Sequence, residues 1–220
     1  MAYTFHFPID RTCGRLYYGR VAGPRCDWRA VADARGTIKV QSDSIGQKQE
    51  LILKVNRQGA TDLSFLAQLD SDALEALDLS DLAVHDEQMR DLADMLSLRS
   101  LRLDRARVTD QGLAWLPALR GLRNLSLIKT SVSDAGLAHI SALKQLERLD
   151  LALTILDGSG LAYLRPLPAL AFLSLFGVST LKTVGWSELG CLRGLRSLDL
   201  SGTINDGDDR LVGHAPFRWN

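Results

Sequence analysis

The chain has 220 residues and a mass of 24.2 kDa, enough to bury a core without help from metals or a disulfide network. Its 26 basic residues balance 26 acidic ones and its isoelectric point lies near 6.9, which excludes a general attraction to nucleic acid or to an acidic membrane surface. Three cysteines are too few for a disulfide scaffold, and no apolar run approaches the roughly 18 residues of a membrane span.

Met1 to Asp10 shows neither a basic segment nor a continuous apolar one, so no secretion signal is expected and a reducing cytoplasm is the expected setting. Residues 1–49 hold six of the chain's 14 aromatics, enough for a local apolar cluster. Tyr3, Phe5 and Phe7 alternate as in a strand with one buried face, and Leu16 to Tyr18 and Thr37 to Val40 are further strands. The region reads as a β-rich cap over the apolar end of the leucine-rich region after residue 50, or else as a small module in its own right. Gln41 to Glu50, polar and carrying Gly46, is the boundary loop.

Beyond it the composition changes: residues 1–50 contain one leucine and residues 51–200 contain 39, so a second structural regime begins there. The leucines recur. Leu74, Leu77 and Leu79 are followed at intervals of 24 by Leu98, Leu101 and Leu103, then Leu122, Leu125 and Leu127, then Leu146, Leu149 and Leu151, then Leu170, Leu173 and Leu175. Leu195, Leu198 and Leu200 follow after 25, which puts one extra residue in the Phe176 to Thr180 turn, and Leu53 and Val55 form a degenerate first copy. Each strand is followed by Val84, Val108, Val132 or Leu156, then by Asp86, Asp110 or Asp134. Gly-Leu comes next, with apolar positions every three residues such as Leu113, Leu116 and Leu119. That spacing is one face of a short helix, and the aspartate before it is expected to cap its first turn.

One such unit cannot bury its leucines, whereas stacked units bury them against each other at roughly 1.5 to 3 kcal/mol per side chain. The expected fold is α/β: a right-handed curved solenoid over residues 50–212, about seven units, with a parallel sheet on the concave side and short helices on the convex side. Residues 201–220 overlap the last unit as a degenerate cap, in which Phe217 and Trp219 plug the end or fray.

LxxLxL followed by a threonine or small residue, valine, aspartate, Gly-Leu and LxxL resembles the leucine-rich repeat family. The stretches VTDQGLAWLPAL (Val108 to Leu119) and VSDAGLAHISAL (Val132 to Leu143) are most similar to a bacterial subtype with short convex helices, akin to GALA-type repeats. The resemblance implies a non-enzymatic module that binds a protein ligand. GALA-type effectors carry an F-box that recruits ubiquitin ligase machinery, and no such pattern occurs here. In many leucine-rich repeats an asparagine ladder follows the strand. This chain has Leu82, Ala106, Thr130, Thr154, Val178 and Thr203 there, leaving that role to threonine hydroxyls in some repeats.

No catalytic or metal constellation stands out, and no cofactor is expected. His6, His85, His139 and His214 are dispersed, with no HxxH, HExxH or CxxC spacing. Gly158-Ser-Gly160 lacks a third glycine, and Asp206, Asp208 and Asp209 lack the spacing of a calcium loop. Cys13 and Cys26 are read as free thiols, with a pair in an oxidising setting left open. Asn124-Leu-Ser126 matches a glycosylation sequon but lies on an expected strand.

Strand alternation sends three columns to the concave surface. Lys54, Asp78, Arg102, Ser126, Asp150, Ser174 and Asp199 form the first, and Arg57, Asp81, Arg105, Lys129, Leu153, Gly177 and Gly202 the second. The third is Asn56, Ser80, Asp104, Ile128, Ala152, Phe176 and Ser201. In the early repeats the first two columns alternate in sign and are expected to pair, Asp78 with Lys54 or Arg102 and Asp81 with Arg57 or Arg105. Farther along, Phe172, Phe176, Ile128 and Leu153 fall together. At about 150 to 250 Å² per buried phenylalanine they approach the size of an interface patch. They are the candidate centre of a protein-binding site, with Arg148, Asn124 and Asp150 as its polar rim. The competing reading folds Phe176 inward as core. The expected function is a protein-interaction scaffold, monomeric or weakly self-associating. The alternatives are repeats that target a small activity in residues 1–49, where His6, Asp10 and Cys13 are weak candidates, and a homo-oligomer formed through the two phenylalanines.

Overall fold

A computed structural model describes residues 2–19, 29–41, 50–69 and 74–203. The expectations for Cys26, Trp28, the 42–49 loop and everything after residue 203 lie outside the described residues. Among the described residues eleven strands form two sheets. Seven of them run parallel and in sequence order along the leucine repeats: β5 (Glu50–Val55), β6 (Ala76–Asp78), β7 (Ser100–Arg102), β8 (Asn124–Ser126), β9 (Arg148–Asp150), β10 (Phe172–Ser174) and β11 (Ser197–Asp199). Their registers align Leu53, Leu77, Leu101, Leu125, Leu149, Leu173 and Leu198 in one row. The first six are at most 2% exposed, so the continuous leucine row is the spine of the core.

The amino-terminal strands extend this sheet. β2 (Gly14–Gly19) pairs antiparallel with β5 along six residues, and β3 (Arg29–Asp33), which the sequence pattern did not reveal, pairs antiparallel with β2. β1 (Ala2–His6) and β4 (Thr37–Gln41) form a separate antiparallel pair. Phe5 and Phe7 stack with ring centroids 6.3 Å apart, and Phe7 lies 6.0 Å from Phe65 in the helical turn of the first repeat. One hydrophobic cluster therefore runs from Phe5 to Leu192.

On the opposite side each repeat returns through a short helix: 3-10 turns at Ser64–Gln68, Asp86–Leu92 and Ser159–Leu164, and α1 (Asp110–Leu113), α2 (Leu137–Ile140) and α3 (Thr183–Leu189). Elements this short are held by packing rather than by helix propensity. Leu113, Leu116 and Leu119 are all buried, as are Leu137, Ile140 and Leu143.

The aspartates act differently from the expectation. Thr109 and Ser133 occupy the capping positions, and each accepts from the amide two residues on. Asp86 instead reaches the next repeat, accepting from the Thr109 amide at 2.8 Å and its hydroxyl at 2.6 Å. Asp110 does the same to Ser133 at 2.8 and 2.5 Å. Asp134 accepts from the amides of Asp157, Gly158 and Gly160. The carboxylates thus tie each helix to its neighbour. The glycine of the Gly-Leu pair has a steric reason: a Cβ on Gly136 would lie 2.4 Å from the Asp110 carboxylate.

The threonines after the strands also depart from a ladder. Thr130 and Thr154 donate to carbonyls of their own repeats, Leu127 at 2.7 Å and Leu151 at 2.6 Å. Only Thr203 among the described threonines at this position reaches back to the preceding repeat, donating to the Leu175 carbonyl at 2.9 Å.

Candidate binding site on the open face of the sheet

Strands β6 to β11 end in the same way. Asp81, Arg105, Lys129, Leu153, Gly177 and Gly202 have φ between 55° and 69°, the left-handed region. This turn sends the chain away from the sheet while the amide still extends the parallel ladder. Leu153, for example, donates to the Phe176 carbonyl of the next repeat at 2.8 Å, and Gly177 to Ser201 at 2.9 Å. The second column is therefore a row of turn residues beyond the strand ends. Its two glycines are the sign of this in the sequence.

The seven candidate site residues fall into two groups. Asn124, Arg148 and Phe172 are register partners on β8 to β10, and Asp150 belongs to the next row. With Ile128 these line one cavity of about 450 Å³, together with Arg102, Ser126, Ser174 and Asp199. Leu153 and Phe176 are not among its lining residues. They stand at the strand-end edge, 45% and 43% exposed. Phe176 is thus not folded inward: the extra residue is taken up after Gly177, which keeps the same left-handed turn as its equivalents. The Leu153 side chain lies over Gly177, where an added Cβ would come within 2.5 Å of it.

The expected apolar patch is also more polar than its composition suggests. The Arg148 guanidinium sits 3.9 Å from the Phe172 ring centroid, a cation–π contact that covers part of the ring. Phe172 and Ile128 are both half-buried. Asp104 is 3% exposed, takes 2.8 Å from Arg102, and accepts from the Ser126 hydroxyl. Asp150 accepts from the Ala152 amide at 3.0 Å. Burial pushes its carboxyl above the usual range, and the negative charges of Asp104 and Asp199 add to the shift. Asp199, which the sequence pattern does not assign to the site, belongs to it through the same column as Asp150.

The charged half of the face pairs largely as its alternation predicts. Arg105 clasps Asp81 with two hydrogen bonds, which hold the Asp81 carboxyl below its ordinary range, and Lys54 lies 3.7 Å from Asp78. Arg102 differs in turning to Asp104 within its own repeat. Asp78 is buried and accepts from the Ser80 amide, so it is a turn cap more than a solvated charge. A larger hollow of about 850 Å³ lies at the strand ends of the first repeats, lined among others by Arg57, Asp81, His85, Arg105 and Arg107. No sequence signal marks it. Of its four carboxylates, Asp62, Asp81 and Asp91 are held in ion pairs and Glu87 is not, so it has less to offer a ligand than the smaller cavity with its apolar wall.

The weak catalytic candidates do not assemble. Cys13 is fully buried and burial pushes its thiol up, away from the reactive thiolate. His6 is exposed with Nδ1 3.3 Å from the Thr37 hydroxyl, and no hydrogen bond among the described residues links His6, Asp10 and Cys13. Among the described residues no group of three His, Cys, Asp or Glu side chains is placed to hold a metal, and no helix is long and apolar enough to cross a membrane.

No family model matches the chain, and no curated protein matches it in sequence. Among solved structures, an internalin C2 from Listeria monocytogenes is 22% identical with a TM-score of 0.48, the match covering 62% of this chain and 65% of that one. An internalin (inlF) from the same species is 18% identical with a TM-score of 0.47, covering 69% and 54% respectively. The chain thus spans less than two thirds of the length of either.

Proposed function

We propose that the chain is a non-catalytic, leucine-rich-repeat interaction module that binds a protein ligand on the open face of its sheet. The observation that carries this reading is the cavity over β7 to β11. It joins an apolar wall (Ile128, Phe172) to polar groups (Asn124, Arg148, Asp150), with the exposed Leu153 and Phe176 at the strand-end edge of the same sheet. Right-handed crossovers belong to the same reading, by the general rule for parallel connections. So does a capping role for residues 1–49, since β2 occupies the outer edge of β5 and removes a free strand edge there.

The test is capture of proteins from native extract, comparing wild type with a Phe172→Asp, Phe176→Asp variant whose circular dichroism and melting confirm the fold. A protein retained by wild type and lost by the variant supports the site. Equal retention moves the contact to the charged half, the helical face or the amino-terminal strands. A wild-type mass that rises with concentration in light scattering, and falls for the variant, would make a second copy the ligand.

A further inference from the structure

The cavity over β7 to β11 is lined by two guanidiniums and two carboxylates that do not pair with each other. Two guanidiniums line it, Arg102 and Arg148, against the carboxylates of Asp150 and Asp199, and buried Asp104 lies directly behind Arg102 and Ser126. Both guanidiniums are engaged, Arg102 with Asp104 at 2.8 Å and Arg148 with the Phe172 ring at 3.9 Å. The partners of Asp150 and Asp199 are uncharged. Asp150 accepts from the Ala152 amide at 3.0 Å, and Asp199 accepts from the Ser201 amide at 2.9 Å. Among the described residues neither forms an ion pair. They are separated by one strand, with Ser174 between them, which sets their backbones about 9 to 10 Å apart. Two carboxylates at that distance, in a cavity with an apolar wall, lack an ion-pair partner among the described residues.

We propose that this cavity receives a basic side chain, the lysine or arginine of a protein partner, with its charged end at Asp150 and Asp199 and its alkyl stem against Ile128 and Phe172. Charge complementarity selects the occupant: Asp150 and Asp199 form no ion pair while both lining guanidiniums are turned elsewhere, Arg102 to Asp104 and Arg148 to the Phe172 ring, and an aliphatic stem of about four carbons matches the Ile128 and Phe172 wall. An acidic side chain would meet Asp150 and Asp199 as like charges. The assignment rests on the reading of the open face as a protein-binding surface, and names what that partner must present.

The chemistry can be probed without knowing the partner. The full chain, labelled with nitrogen-15, is titrated with n-butylammonium, n-butylguanidinium, n-butanol and butyrate, following the amides of Ala152 and Ser201. Saturable shifts are expected with one or both cations in the millimolar range, as befits so small a ligand, and not with the alcohol or the acid. The two cation arms distinguish lysine from arginine. Asp150→Asn keeps an oxygen for the Ala152 amide and should fold normally, yet weaken cation binding about fivefold or more. Asp150→Asn with Asp199→Asn should abolish it. A butanol response equal to that of the cations, or cation binding unchanged in the double variant, overturns the assignment, as does the absence of any saturable response. Protein capture is scored separately. Cation binding without a captured protein leaves a cation-selective cavity but overturns its assignment to a protein's basic side chain, and a captured protein without cation binding overturns the assignment while the interaction reading stands.

Discussion

Lys129 and Leu153 hold backbone angles that suit glycine, with φ of 55° and 56°. Side-chain sterics disfavour that region by about 1 to 2 kcal/mol per residue. Lys129 is exposed and makes no side-chain hydrogen bond or ion pair within the described residues, so Lys129→Gly should raise stability by about 0.5 to 1 kcal/mol in urea unfolding, the gain in backbone geometry exceeding the added freedom of the unfolded chain. Gly177→Ala is the converse. It combines a φ of 66° with a Cβ 2.5 Å from the Leu153 side chain, and should cost about 1 to 3 kcal/mol. Asp150 supplies a pH-dependent case. Its folded-state carboxyl is raised by burial and by Asp104 and Asp199, so the folded chain holds that proton more tightly than the unfolded one. Stability is therefore lost as pH rises from the ordinary carboxylate value through the raised one, and the cost of the buried charge is complete above it. Asp150→Asn should be more stable than wild type at neutral pH. The difference should vanish below the ordinary value of about 4, as read from unfolding midpoints across pH. None of this follows from residue type alone: Asp78, Asp150 and Asp199 share one column, and only three-dimensional burial and neighbours separate the ion-paired one from the unpaired two.

Among the elements, repetition makes the strands legible, because period-24 leucines leave one register that buries them all. The helices are legible in position but not in how they are held. An aspartate before a helical pattern signals a cap, and a single repeat read alone cannot show that the carboxylate serves its neighbour. Similarly, β3 is hidden in the sequence because four of its five residues, Arg29, Ala30, Val31 and Asp33, are exposed, so no alternation marks it. The candidate site is legible in its columns, which place Asn124, Ile128, Arg148, Asp150 and Phe172 together. The left-handed turn that sets Leu153 apart from them is a backbone property with only Gly177 and Gly202 as its trace, and Phe176 stands outside the cavity although it shares a column with Ile128. The cross-repeat carboxylates make a graded prediction. Asp110→Ala leaves the Ser133 amide and hydroxyl without their partner and should cost about 1 to 2 kcal/mol. Asp134→Ala strands three amides, those of Asp157, Gly158 and Gly160, and should cost more, about 2 to 4 kcal/mol. Chemical denaturation of the two variants beside wild type checks the order. Equal losses would show that the ladder acts through helix dipoles and not through the amides it satisfies.

For the whole molecule, stacked repeats draw stability from nearest-neighbour contacts, so the ends decide whether the stack unfolds as one unit. At the amino-terminal end β2 is hydrogen-bonded along β5, and the Phe5–Phe7 pair packs toward Phe65 of the first repeat, within the same core cluster that continues through the leucine rows. Phe7 is 4% exposed, so Phe7→Ala removes a buried ring and should cost about 3 to 5 kcal/mol. How that loss is distributed distinguishes a cap from a separate module. If residues 1–49 fold as the end of the solenoid, calorimetry of wild type gives one transition, and Phe7→Ala lowers its midpoint as a whole. If they are an independent module, two transitions resolve, and the substitution lowers only the smaller one while the repeat transition stays in place. The shared sheet and the aromatic bridge to Phe65 lead us to expect the first result. It would mean that the proposed binding face over β7 to β11 is stabilised from the far end of the chain, through an uninterrupted run of parallel strands and leucine rows.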